Sequence, residues 1–72
     1  MIVYNVTVKV DLDINDIWLR FMKEDHIPRV LATGCFYDHK MFRVVEADQS
    51  DGITYAIQYF GHSMNDYFTY QN

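Results

Sequence analysis

Glu24-Asp25-His26-Ile27-Pro28-Arg29-Val30-Leu31-Ala32-Thr33-Gly34-Cys35-Phe36 holds the only proline and the only cysteine of the chain, with one of its three histidines and one of its three glycines. Proline lacks an N–H and disfavours a helical conformation in the residue before it, so a helix arriving from the left is expected to stop near His26. Pro28 suits the first position of a new helical turn, and Gly34 suits the left-handed position that ends one. The stretch reads as helix, break, short helix, glycine stop, then strand. It sets an imidazole at a helix end beside two carboxylates.

Upstream, Ile2, Tyr4, Val6, Val8 and Val10 alternate with Val3, Asn5, Thr7 and Lys9, which is the period of a strand with one buried face. Asp11 and Asp13 mark a turn, and Asp13 or Asn15 suits a helix cap. The helix is expected from about Ile14 to Asp25. Ile14, Ile17, Trp18, Phe21 and Met22 form its apolar stripe, Leu19 lies off that stripe, and His26 follows Trp18 and Met22 at four-residue steps.

Downstream, Cys35 to Glu46 reads as a second strand. Cys35, Tyr37, His39, Met41, Arg43 and Val45 fall on one face, and Phe36, Asp38, Lys40, Phe42, Val44 and Glu46 on the other. Residues 47–52 compose a turn ending in Asp-Gly, and Ile53 to Phe60 is a third strand. Ser63 caps a final helix, with Asp66 three residues on. The order β-α-β-β-α places the chain in the α+β class. It is expected to be a single ferredoxin-like domain over residues 1–72, βαββα(β) with an antiparallel sheet, its last strand missing.

At 72 residues, with half of them hydrophobic and a single cysteine, the chain carries much apolar surface for a small interior and has no disulfide to support it. Association is the expected remedy: a homodimer through the sheet face or through the first strand, whose long β-branched edge has Lys9 as its only protective charge. Ten acidic against six basic residues, a net charge of −4, give no support to phosphate-backbone binding, so no nucleic-acid partner is expected. There is no apolar run of membrane-spanning length and no cationic leader. A cytoplasmic location, with Cys35 as a small buried hydrophobe, is the expectation.

The segments Met1-Ile2-Val3-Tyr4-Asn5-Val6-Thr7-Val8, Trp18-Leu19 with Met22 to Pro28 and Val30 to Gly34, and Thr54 to Phe60 with Ser63-Met64 and Asp66-Tyr67 resemble a bacterial family of unknown function. The resemblance spans nearly the whole chain and implies a ferredoxin-like fold without an assigned activity. His26-x-Pro28 with Gly34 before a strand also looks like the dimeric α+β barrel superfamily. That group includes antibiotic-biosynthesis monooxygenases and ring-cleavage or dehydratase-like enzymes; in some relatives a histidine near this point lines the ligand cavity, and only His26 carries over.

His26 is the candidate for acid–base chemistry, because an unperturbed imidazole titrates near neutrality. At a helix end it serves equally as a favourable charge against the helix dipole. Asp25 is the carboxylate beside it. Tyr37, Tyr55 and Tyr59 are candidates to line a ligand pocket, with His39 and with Arg43 as a carboxylate clamp. Each has a plainer reading as strand packing or a surface ion pair. The spacings of His26, His39 and His62 match no metal motif, and neither metal nor cofactor is expected. Two functions follow: a homo-oligomeric ligand-binding or structural module without catalysis, or a cofactor-free enzyme acting on a small aromatic or oxygenated molecule through His26.

Overall fold

Alternation in the first ten residues produces β1, Ile2–Asp11, in the computed structural model, which describes residues 1–72. A 3₁₀ turn, Leu12–Ile14, leads into α1, Asn15–Phe21; a π-helical turn, Met22–His26, joins it to α2, Ile27–Ala32. Strands β2, Asp38–Arg43, and β3, Gly52–Gly61, follow, and then α3, Met64–Gln71. The class is α+β. The sheet is antiparallel with order β1-β3-β2, so β3 is central, with Val6 opposite Ile57 and Met41 opposite Ile57 on its other side.

The break expected at His26-Ile27-Pro28 is a widened turn instead. The Ile27 N–H donates to the carbonyl of Met22, five residues back. Pro28 cannot donate, and its ring crowds the carbonyl four residues earlier; a π turn just upstream absorbs that conflict without ending the helix. His26 therefore lies inside a continuous helical run, and the helix-end role expected for it does not apply.

The inserted residue also changes which face is buried. Met22, Ile27 and Val30 are buried at spacings of five and three, where an unbroken α-helix would use four and three. Before the turn, Trp18 and Leu19 are half-buried, whereas Ile14, Ile17 and Phe21 of the expected core stripe are exposed.

The second strand is shorter than Cys35–Glu46. Cys35 and Phe36 are buried in the irregular segment before it, held by Thr33, whose Oγ1 donates to the Val30 carbonyl at 2.6 Å and accepts from the Cys35 N–H at 3.2 Å. Cys35 is a free, buried thiol, in keeping with its reading as a small hydrophobe.

Gly34 has φ of 78°, the left-handed conformation foreseen for the helix stop. A Cβ there would meet no atom within 4 Å, so Gly34→Ala is expected to lower stability by about 1 kcal/mol through backbone conformation alone. Chemical denaturation measures it. Gly52 is required for a different reason: a Cβ would come to 2.7 Å from the Val10 carbonyl oxygen. At the last helix, the Asp66 carboxylate accepts from the N–H groups of His62 at 2.9 Å and Ser63 at 3.2 Å, forming a capping box.

The core lies between the helical layer and one sheet face. Val10, Tyr55, Ile57 and Tyr59 from the strands meet Met22, Ile27, Val30, Cys35 and Phe36. Met41, Tyr55 and Ile57 thus belong to the covered side of the sheet. The other side carries their alternates, among them Val3, Thr7, Lys9, Gln58, Lys40 and Phe42, a mixed and largely polar surface.

Candidate functional site

The widened turn sets Met22 and His26, four residues apart, over strands β1 and β3. There they line a cavity of about 250 Å³, with Tyr4 and Val6 from β1 and Ile57 and Tyr59 from β3. Tyr70 of α3 also lines it, and the cavity stays partly open. The site is positioned by simple periodicities. Tyr4 and Val6 are consecutive inward positions of one strand, and Ile57 and Tyr59 are their direct partners on the next.

The walls are aromatic. Tyr4 stacks on Tyr59 at 6.1 Å between ring centroids and lies 5.8 Å from Tyr70. Phe36 supports the group from beneath, 5.6 Å from Tyr59 and edge-on to Tyr70 at 5.2 Å. Tyr55 is the tyrosine whose hydroxyl is engaged by another side chain. The hydroxyls of Tyr4, Tyr59 and Tyr70 keep their donor and acceptor capacity.

Burial pushes the Tyr59 and Tyr70 phenols above their ordinary range, with Tyr4 adding to both shifts. Both stay protonated at physiological pH and so offer O–H donors rather than bases. A raised folded-state value means that their stabilising contribution is complete below the unfolded value of about 10 and is lost as pH rises through the folded values. Two phenols are therefore expected to ionise late in an alkaline absorbance titration, with stability falling over the same window.

Of the residues singled out in the sequence, His26 and Tyr59 are brought together here. Asp25 accepts from the Arg29 Nε at 3.1 Å on the helix surface, and that pairing engages its carboxylate away from the imidazole. Tyr55 lies further along the sheet, 5.0 Å from the Trp18 ring, and its hydroxyl donates to Asn15 Oδ1 at 2.6 Å. Arg43 donates to Gln49 Oε1 at 3.0 Å in the loop after β2. Tyr37 is exposed and stacks on His62 at 4.5 Å. His39 pairs with Tyr59 in the strand register and is half-buried, its Nδ1 enclosed without a hydrogen-bond partner. No three His, Cys, Asp or Glu side chains are gathered as a metal set.

Tyr4 and Tyr70 complete the site and were not singled out by the sequence. Tyr4 was legible only as one more inward position of β1. Tyr70 stands in a helix whose approach to β1 no local pattern encodes.

No helix is long and apolar enough to cross a membrane. A family model described as a domain of unknown function, DUF4286, matches residues 1–72. No curated protein and no solved structure matches the chain.

Proposed function

We propose that this chain, which belongs to the DUF4286 family, is a small-molecule-binding module whose ligand is a flat aromatic or oxygenated compound. The observation that carries this reading is the cavity bounded by His26, Tyr4, Tyr59 and Tyr70. Its size suits a single ring with small substituents, since drug-sized ligands occupy about 300–1,000 Å³. Aromatic walls supply apolar contact, and the phenols and imidazole supply a few directional hydrogen bonds.

Binding without catalysis is the better supported form. A histidine acting as acid or base is usually oriented by a partner on its other nitrogen. Here Asp25 is committed to Arg29. A cofactor-free enzyme of the dimeric α+β barrel type is the second reading, favoured by the imidazole at the cavity wall.

The fold reading that accompanies this is ferredoxin-like. It is supported by the sheet order β1-β3-β2 and by the two helical pieces packed on one sheet face. The module acts as a homodimer. Support comes from eleven large hydrophobic side chains that remain exposed on a 72-residue chain. The lone thiol, Cys35, fits the cytoplasm.

Calorimetric titration with p-cresol tests the function. Saturable binding at one site per chain is expected, with Kd on the order of 0.1–1 mM. His26→Gln should weaken it a few-fold. An absence of binding contradicts the reading. Turnover of a phenol that disappears in His26→Gln while affinity persists would favour the enzyme.

A further inference from the structure

Ile14, Ile17 and Phe21 keep the three- and four-residue spacing of a core stripe, yet they face outward. Ile17 is 73% exposed. With Trp18 they bound a groove of about 350 Å³ lined by apolar side chains alone. The stripe is flanked on one side by Asp13, about one turn before Ile17, and by Arg20, about one turn after it. Neither charge is paired within the chain, whose ion pairs are Lys9–Asp51 and Asp25–Arg29.

We propose that this stripe is the homodimer interface and that its occupant is a second copy of the chain. The assignment rests on the homodimer reading above and names its surface. A two-fold axis through Ile17 aligns two copies of the helix antiparallel. Ile17 then meets Ile17, Ile14 meets Phe21, and Asp13 of each copy lies beside Arg20 of the other. The pattern is self-complementary: acid before the centre and base after it, on the same flank. A foreign partner has no need of that symmetry. The chain carries −4 overall, so two copies repel at long range, and the two Asp13–Arg20 pairs supply the local attraction that fixes the antiparallel direction. The open sheet face also exposes Val3 and Phe42, but there they are interspersed with Asn5, Thr7, Lys9, Lys40 and Gln58, and no matching pair of opposite charges flanks them.

Sedimentation equilibrium of the 72-residue chain tests this, with Arg20→Glu and the double swap Asp13→Arg/Arg20→Glu as variants. Both sites are exposed, and circular dichroism verifies that each variant is folded. Arg20→Glu turns two attractive contacts into two repulsive ones and should weaken dimerisation about tenfold; the double swap should restore it to within about threefold. A wild-type chain that stays monomeric up to about 500 μM would overturn both the homodimer reading and this surface. A dimer indifferent to Arg20→Glu would overturn the surface alone and leave the homodimer reading standing on the sheet edge or sheet face. Neither outcome bears on p-cresol binding.

Discussion

Ile57→Ala is expected to lower the unfolding free energy by about 3–4 kcal/mol, enough to leave the chain near its unfolding midpoint in dilute buffer. Ile57 is the most buried side chain, 1% exposed. It sits on the central strand between Val6 and Met41, with the helical layer above. Truncation there removes three carbons between Val6 and Met41, beside the cavity, and enlarges a void that the rigid sheet cannot close. Val45→Ala, at a residue 72% exposed, should change stability by less than about 0.5 kcal/mol. Urea titrations of the two variants give the comparison. Equal effects would mean that the core is not where the sheet and helices place it.

Val6→Phe should have the opposite sign on stability and a large effect on binding. Val6 is half-buried and lines the cavity beside Ile57. A phenyl ring there projects into space that is already present. The variant is expected to gain about 0.5–1 kcal/mol in stability, as cavity-filling changes commonly do, and to lose p-cresol affinity at least about tenfold. In a filled interior the same change would cost about 1–3 kcal/mol by overpacking. The sign of the stability change thus reports on the cavity without a ligand, and the loss of affinity reports on its use.

Much of the fold follows from patterns that are local. Period two in Ile2 to Val10 and in Ile53 to Phe60 gives β1 and β3 with their inward faces. The positive-φ glycine at position 34 and the cap at Ser63 are likewise written in single residues. The helical run is where local reading goes astray, and the reason is one proline. Pro28 suggests a break, but a π turn satisfies the same steric demand while keeping the helix continuous. One inserted residue then turns the face, so Ile17 moves outward and Met22 and Ile27 share the inside. No spacing rule applied on one side of Pro28 can foresee the phase on the other.

The site divides in the same way. His26 is legible from its residue type and its four-residue steps from Trp18 and Met22, and Tyr59 from its residue type and strand face. Asp25, Tyr37, His39, Arg43 and Tyr55 have residue types and faces equally suited to a pocket, but position in the fold and nearby competitors separate them from the cavity. Arg29 engages Asp25, Gln49 engages Arg43, and Asn15 engages Tyr55. Asn15 and Tyr55 stand 40 residues apart. Such a pairing is set by the packing of α1 on the sheet, and Tyr70 reaches the cavity by an equally long-range contact.

Under the proposed function, the cavity beneath the widened turn receives a small aromatic molecule. Amide NMR during titration with p-cresol tests it most directly. The expected result is a saturable set of shifts centred on Tyr4, Val6, His26, Tyr59 and Tyr70, absent in Val6→Phe. Shifts confined to Ile14, Ile17 and Phe21, or no saturable shifts at all, would contradict it.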